Sequence, residues 1–226
     1  MKLGVLGGTF NPIHLGHLHI ASETARLFKL SQVHFVVATL PPHKASQTLI
    51  PFVDRYVMVC LATAGIPKFI PSAVELEQPP SPFSIDTMAK LARRHALAGE
   101  ALYFIAGGDS LLDVATWRKS EELLLRYNFV FVMRPNAEIQ DVSRVLPRAT
   151  AGRICDLTGL SGPRRNARIR AEASQGRSKI FIVDLGAPDI SGSGIRELTA
   201  RGKKVQKLVP PLVREYVGKL RLYGEQ

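Results

Sequence analysis

The chain has 226 residues, of which 46% are hydrophobic and 22% are charged, as is ordinary for a globular protein, and its formal net charge is +11. The two cysteines, Cys60 and Cys155, are too few for a disulfide framework, and no apolar run approaches the ~20 residues of a membrane helix. The apolar run at the N-terminus is short and gives way to Gly-Gly-Thr, which is not the pattern of a secretory signal. We therefore expect a cytoplasmic protein without a membrane partner.

Apolar segments of strand type alternate with amphipathic segments of helical type along most of the chain. The predicted strands are residues 2–7, 33–39, 68–76, 101–111 with its turn, 128–135 and 179–185. The predicted helices are residues 15–30, 54–64, 84–98, 120–127, a segment beginning at 190, and 210–224. Loops are predicted at 41–44 and 78–83, and Asp54 is predicted to cap the helix that it begins.

The order of these segments predicts the fold class. Because the strands are continuously apolar rather than alternating, they favour a parallel sheet with helices on both faces, which is an α/β fold. The sequence contains no repeat and no evident linker, so we expect a single domain over residues 1–226.

The segment at about 136–178 has no clear order and is strongly basic. Between 144 and 179 the only acidic residues are Asp156 and Glu172. The basic residues of the same stretch are Arg144, Arg148, Arg153, Arg164, Arg165, Arg168, Arg170, Arg177 and Lys179. Because no aromatic residue lies among these charges until Phe181, we favour a solvated basic surface over a dedicated nucleic-acid site.

The stretch "GGTFNPIHLGH", residues 7–17, joins the first predicted strand to the first predicted helix. Helix N-termini bind anions, glycines let backbone approach a ligand closely, and imidazoles such as those of His14 and His17 donate hydrogen bonds to phosphate. A metal site is the weaker interpretation, because no cysteine is near and no HExxH pattern exists. We therefore predict a phosphate-binding loop, although it is neither a P-loop nor a GxGxxG fingerprint. His19 falls inside the helix and receives no role.

Two motifs carry a resemblance to a known superfamily. "GGTFNPIHLGH" resembles the (H/T)xGH signature of the nucleotidylyltransferases, and "ISGSGIREL", residues 190–198, resembles their ISxTxIR element. Five further stretches follow in the order of one family, the bacterial nicotinate-nucleotide adenylyltransferases, and the resemblance covers most of the chain outside about 136–178. They are "PPHK" (41–44), "FVDRYVMVCLA" (52–62), "PFSIDTM" (82–88), "YFIAGGDSLLDVATWRKSEELL" (103–124) and "VMRP" (132–135).

The resemblance implies a doubly wound Rossmann-like sheet and adenylyl transfer from ATP to nicotinate mononucleotide, with release of pyrophosphate. It implies Mg²⁺ held largely by ATP and water, with no protein metal ligand, and catalysis by His14 and His17. The residues implied in ATP binding are Gly7, Gly8, Thr9, Phe10, Gly107, Asp109, Ile190, Ser193 and Arg196. The residues implied in nicotinate mononucleotide binding are His43, Lys44, Ser84, Trp117, Arg118 and Arg134.

Other roles for these residues stay open. On physical grounds Lys44 could be a solvated loop lysine, Asp109 a helix cap, and Trp117 a core residue, but the resemblance favours a functional role for all three. The sequence also departs from the family pattern. Asn11 stands where Asp is frequent, residues 82–84 are Pro-Phe-Ser in place of Ser-Tyr-Thr, and residues 192–193 are Gly-Ser in place of Ser and Thr.

Alternative functions also stay open at this point. They are an adenylyltransferase of the same fold that uses nicotinamide mononucleotide or phosphopantetheine, a basic RNA-binding module, and a catalytically silent scaffold. The combination of His14, His17 and Arg196 argues against a silent scaffold. The sequence leaves the question of a homo-oligomer open.

Overall fold

The computed structural model describes residues 1–39, 49–133 and 145–224, and these form one sheet of seven parallel strands covered by helices. The strands are β1 (Leu3–Gly8), β2 (Gln32–Val37), β3 (Phe69–Ser72), β4 (Leu102–Gly107), β5 (Asn128–Met133), β6 (Ile154–Asp156) and β7 (Ile180–Asp184). The helices are α1 (Leu15–Phe28), α2 (Phe52–Thr63), α3 (Ser84–Arg94), α4 (Asp109–Asp113), α5 (Ser120–Arg126), α6 (Gly162–Ala173), α7 (Gly192–Ala200) and α8 (Pro211–Lys219). The predicted α/β class is confirmed.

The strand order determines where a ligand-binding crevice can form. It is β3-β2-β1-β4-β5-β7-β6, so the chain builds outward from β1 in one direction and then returns to add β4 on the other side of β1. At such a switch point the connections leave β1 and β4 toward opposite faces, which opens a crevice at their carboxyl ends. The crevice lies where Gly8 and Gly107 end these two strands.

Alternation along β1 divides the interior into two cores. Leu3 and Val5 are fully buried on the face covered by α3 and α5, and Leu6 is buried on the face covered by α1 and α2. Gly4 leaves no room on the second face, since a Cβ there would lie 2.8 Å from Leu30 Cδ1. Burial of both faces explains why the strand sequence is apolar throughout.

Two sequence predictions need correction. The segment predicted to lack clear order contains β6 and α6, and α6 was missed because it buries only Ile169 and Glu172 and so has almost no apolar periodicity. Asp54 does not cap its helix. Pro51 occupies the cap of α2, and Asp54 accepts a hydrogen bond at 2.8 Å from the hydroxyl of Tyr216 in α8.

Within the described residues, no helix combines the length and the apolar character needed to cross a membrane.

The proline-rich segment before α3 is held by a buried ammonium group. Lys90 is 9% exposed, and its Nζ donates to the carbonyls of Glu77 and Pro79, both at 2.6 Å, and to that of Val74 at 3.4 Å. A single charged donor thus satisfies main-chain carbonyls of a segment that has no sheet partner. This segment leads into Phe83 and Ser84 at the start of α3.

Replacing Lys90→Met should lower the free energy of unfolding by ~2–3 kcal/mol, because the carbonyls around Nζ would lose a charged donor. Urea unfolding followed by circular dichroism measures this. Lys219→Met is the matched control, since Lys219 is exposed on α8 and pairs only with Glu215 at the surface, and its effect should stay within ~0.5 kcal/mol. Equal effects of the two variants would contradict the structural role of Lys90.

Candidate active site

In the loop from β1 to α1, the Phe10 ring packs against one of the histidines at the start of α1. Phe10 adopts a left-handed backbone conformation with φ of 47°, and its ring is buried. That ring packs edge-on against His17 with centroids 5.0 Å apart and contacts Phe35 at 6.0 Å. Phe10 therefore supports His17 from below, and only the backbone of Phe10 can face a ligand.

His14 and His17 form one closely packed pair. Their ring centroids lie 3.7 Å apart with an angle of 31° between the planes, and the backbone N–H of His14 donates to His17 Nδ1 at 3.2 Å. Because Nδ1 accepts, the proton of the neutral His17 ring is on Nε2, which makes Nε2 a hydrogen-bond donor. His14 is the cap of α1, so both rings lie at the positive end of that helix.

Glycine between the two histidines leaves room for the His14 ring. A Cβ on Gly16 would lie 3.0 Å from His14 Nδ1 and 3.1 Å from His14 Cε1. A larger residue at this position would press on the His14 ring, which would have to shift by a few tenths of an ångström. The sequence His-Leu-Gly-His is therefore explained by the packing of the pair.

Helix α7 is docked against the same loop. Arg196 Nη1 donates to the carbonyl of Asn11 at 2.8 Å, and a Cβ on Gly192 would lie 3.2 Å from that carbonyl oxygen. Ser191 caps α7 by accepting from Gly194 N–H at 3.1 Å, and its Oγ lies 3.3 Å from Ser193 Oγ. The N-terminus of α7, with its serine hydroxyls and a guanidinium, thus lies beside the N-terminus of α1.

The C-terminal region also fixes the loop. Tyr223 donates its hydroxyl to Asn11 Oδ1 at 2.8 Å, and Leu15 N–H donates to the carbonyl of Leu208 at 2.9 Å. Burial raises the pKa of Tyr223, so the hydroxyl stays protonated and remains a donor. Asn11 accepts here as Asp would, so the departure from the family pattern preserves this contact.

Arg55 joins the ends of β1 and β2 and was left out of the predicted site. The side chain is 2% exposed, and its Nη1 donates to the carbonyls of Thr9 at 2.9 Å and Ala38 at 2.7 Å. Nε donates to the carbonyl of Ile50 at 3.1 Å. Burial lowers the pKa of Arg55, yet a guanidinium remains charged at any ordinary pH.

A cavity of about 610 Å³ opens at the carboxyl ends of β2, β1 and β4, on the α3 side of the sheet. Its rim includes the first-loop residues Gly7, Gly8 and Thr9. Among the described residues that line it, the charged ones are Glu75, Asp113 and Arg118. The remaining lining residues are Val5, Val36, Ala38, Pro82, Phe83, Ser84, Thr87, Phe104, Ala106, Gly107, Ser110, Thr116 and Trp117.

Aromatic and charged side chains build one end of this cavity. Trp117 packs edge-on against Phe104 with ring centroids 5.6 Å apart and is half-buried, so it is both a packed residue and a cavity wall. The Arg118 guanidinium lies 4.6 Å from the centre of the Phe83 ring and 3.8 Å from the Asp86 carboxylate. Phe83, which stands where the family has Tyr, is thus the ring on which Arg118 stacks.

Glu75 lines the cavity from the β2 side and was also missed by the sequence analysis. It is 7% exposed, and its Oε2 accepts from the backbone N–H of Thr39 at 2.9 Å and from Thr39 Oγ1 at 3.1 Å. Burial raises the pKa of Glu75, while the Thr39 hydrogen bonds and the charges of Lys90 and Arg55 oppose that shift. No periodic pattern marks this residue, because it follows a short strand in a 3₁₀ turn.

The structure brings the predicted residues together in two groups that meet at Gly7–Thr9. His14, His17, Ser193 and Arg196 lie on the α1 and α7 side. Ser84, Gly107, Trp117 and Arg118 lie on the cavity side.

The other predicted residues lie less centrally. Asp109 is exposed as the first residue of α4 and is not the cap, which is Gly108. Ile190 packs partly against the core. His43, Lys44 and Arg134 lie outside the described residues.

Known proteins are similar to this chain in sequence and in fold. Residues 5–198 match the cytidylyltransferase-like family. A probable nicotinate-nucleotide adenylyltransferase of Geobacter metallireducens is 40% identical over 99% of this chain and 98% of its own length, and one of Pelobacter propionicus is 37% identical over 100% and 99%. The structure of Plasmodium falciparum nicotinic acid mononucleotide adenylyltransferase complexed with NaAD superposes with a TM-score of 0.70 at 17% identity, covering 98% of this chain and 97% of that one. This last likeness concerns the fold.

The Arg55 contacts predict a measurable loss. Arg55→Met should lower the free energy of unfolding by ~3 kcal/mol, because the buried carbonyls at the ends of β1 and β2 would lose their donor. Arg55→Lys should recover only part of it, since one ammonium cannot span the three directions that the guanidinium serves. Urea unfolding of both variants tests this, with Arg26→Met as control, because Arg26 is exposed and pairs only with Glu23. A loss in the control as large as in Arg55→Met would refute the assignment.

Proposed function

Because the chain belongs to the nicotinate-nucleotide adenylyltransferase family, we propose that it transfers the adenylyl group of ATP to nicotinate mononucleotide. The products are nicotinate adenine dinucleotide and pyrophosphate, and the reaction belongs to NAD biosynthesis. The observation that carries the proposal is the meeting, at Gly7–Thr9, of a histidine pair at a helix N-terminus with a 610 Å³ aromatic-walled cavity. One side suits a triphosphate and the other a flat ring attached to a sugar phosphate.

In this reaction the protein positions the two substrates and neutralises charge, and no covalent enzyme intermediate is needed. The 5′-phosphate of nicotinate mononucleotide is already a nucleophile, and it attacks the α-phosphorus of ATP in line as pyrophosphate leaves. The negative charge that develops on the α-phosphate oxygens is met by His17 Nε2–H, which the Nδ1 contact holds in its donor form. His14 stacks on His17 and keeps that ring in place.

The ATP side is assigned to the loop and α7. The backbone of residues 7–10 and the His14 end of α1 face the triphosphate, and the N-terminus of α7 with Ser193 and Arg196 faces its β- and γ-phosphates. Arg196 donates one hydrogen bond to Asn11. Because a guanidinium has five N–H donors, others remain for phosphate. Asp109 is assigned to the ATP ribose, with Gly107 leaving space beside it.

Mg²⁺ is proposed to arrive with ATP. Among the described residues no three His, Cys, Asp or Glu side chains converge as a metal site would require. As the family resemblance implies, phosphate oxygens and water would hold this ion, which would neutralise phosphate charge. No protein ligand for it is assigned.

The acceptor side is assigned to the cavity. Trp117 offers a ring face for the pyridine, Ser84 offers a hydroxyl to its carboxylate, and Arg118 supplies the positive charge near that carboxylate. His43, Lys44 and Arg134 are proposed to meet the phosphate of the acceptor, as the family resemblance implies.

Pyrophosphate release measures the proposed activity. With ATP and Mg²⁺, release is expected with nicotinate mononucleotide and not with phosphopantetheine, and His17→Ala should lower kcat by ~10²–10³-fold, as loss of one donor to a developing charge does. His19→Ala is the matched control. His19 lies two residues further along α1 and contacts the carbonyl of Leu185, so its loss should leave kcat nearly unchanged.

Two other outcomes would change the proposed acceptor or refute the proposed activity. Release with phosphopantetheine alone would keep the chemistry and change the acceptor. No release with any acceptor, together with binding of RNA that falls steeply with salt, would favour the basic surface and refute the enzyme assignment.

Arg118 should set the preference for the acid over the amide. Arg118→Gln is expected to lower kcat/KM for nicotinate mononucleotide about tenfold and to leave that for nicotinamide mononucleotide almost unchanged, because only the carboxylate gains from the positive charge. Lys119→Gln is the control, since Lys119 pairs with Glu122 and does not line the cavity. Equal losses with both acceptors would show that Arg118 supports the cavity wall without reading ligand charge.

A further inference from the structure

Two carboxylates line the cavity without a part in the function proposed so far, the exposed Asp113 and the buried Glu75. Glu75 is more than nine-tenths buried, yet it lines a cavity proposed to receive an anionic nucleotide. Burying a carboxylate is costly unless hydrogen bonds compensate it. The compensation at Glu75 is uneven between its two oxygens.

Oε2 is fully used and Oε1 is not. Oε2 accepts both hydrogen bonds from Thr39, whereas no described residue donates to Oε1. Oε1 is not sealed from solvent either. Oε1 is therefore the oxygen that the cavity can reach.

The strand order shows how far Glu75 lies from the end of the cavity that Trp117 and Arg118 form. Glu75 bonds to Thr39, just beyond β2, while Trp117 and Arg118 follow β4, and β1 lies between these strands. Two strand spacings separate the ends by about 10 Å. A pyridine at Trp117 thus leaves its sugar, and not its carboxylate, to extend toward Glu75.

The chemistry of the acceptor allows one kind of partner. An ionised carboxylate only accepts hydrogen bonds, so Oε1 needs a donor on the ligand. In nicotinate mononucleotide the ring carboxylate and the ionised phosphate accept, and the quaternary ring nitrogen has no proton. The ribose 2′- and 3′-hydroxyls are the donors.

We propose that Glu75 Oε1 accepts a hydrogen bond from the ribose hydroxyls of the acceptor nucleotide and so fixes the sugar between the ring site and the first loop. This inference rests on the proposed function, since it takes the cavity as the acceptor site. Thr39 then acts through Glu75 as a positioning residue, because its two donors aim the carboxylate. Fixing the sugar orients the 5′-phosphate attached to it.

The test combines a protein variant with substrate analogues, in the manner of a double-mutant cycle. Wild-type enzyme and Glu75→Gln are compared with nicotinate mononucleotide and with its 2′-deoxy and 3′-deoxy analogues, by kcat/KM and by calorimetric binding. In Glu75→Gln the amide oxygen still accepts from Thr39, so the NH₂ group faces the cavity and an acceptor becomes a donor. Glu77→Gln is the matched control, since Glu77 is exposed and pairs with Arg94 at the surface.

The expected pattern is specific. For the wild-type enzyme at least one deoxy analogue should lose about 10- to 100-fold in kcat/KM, the range of a hydrogen bond to a charged group. Glu75→Gln should lose a similar factor with the parent nucleotide and little more with that analogue, while KM for ATP and the melting temperature stay close to those of the wild type. Glu77→Gln should match the wild type throughout.

The failures are distinguishable. If wild-type enzyme turns over all three nucleotides equally, or if Glu75→Gln loses the same factor with each, the Glu75 contact is overturned while the proposed function stands. If the wild-type protein neither binds nor turns over nicotinate mononucleotide, the proposed function fails, and the contact fails with it. The wild-type comparison needs no variant, so poor folding of Glu75→Gln does not remove the test.

Discussion

Main-chain carbonyl groups of the loop between β1 and α1 have to be satisfied without a sheet or helix partner, and the rest of the site depends on how this is done. Arg55 donates to Thr9, and Arg196 donates to Asn11. A buried carbonyl without a donor is costly, so each guanidinium stabilises one conformation of the loop. Since these arginines come from α2 and α7, the loop is positioned by elements distant in sequence. The histidine pair gains its fixed geometry from this support.

In the proposed function, the two substrates bind on the two faces of the sheet. Alternation along β1 directs α1 and α7 to one face and the cavity to the other, and the faces meet only where the strand ends. Arg196 lies on the α1 and α7 side, whereas the cavity combines apolar walls with the charged side chains of Glu75, Asp113 and Arg118. In the proposed function, this arrangement brings two anionic molecules to one edge of the sheet from opposite faces.

Much of the fold was predictable because its signals are local. The central strands are apolar runs that need no partner to be recognised, and the loop at residues 7–17 carries an unusual composition in one continuous stretch. Arg55 and Glu75 could not be placed, because their burial depends on carbonyl and hydroxyl groups that come from other strands. A hint was present for Arg55, which lies among the apolar residues of "FVDRYVMVCLA". Helix α6 was missed for the opposite reason, since its exposed arginines leave almost no apolar periodicity.

The hydrogen bond between Tyr223 and Asn11 joins residues 212 positions apart. During synthesis the strand and loop that hold the histidines emerge first, while the tyrosine that fixes them emerges more than two hundred residues later. At ~5–20 residues per second, a nascent chain spends ten seconds or more with its first loop made but without the Tyr223 contact. A ribosome that stalls before codon 223 holds a nearly whole sheet whose first loop still lacks its last hydrogen bond.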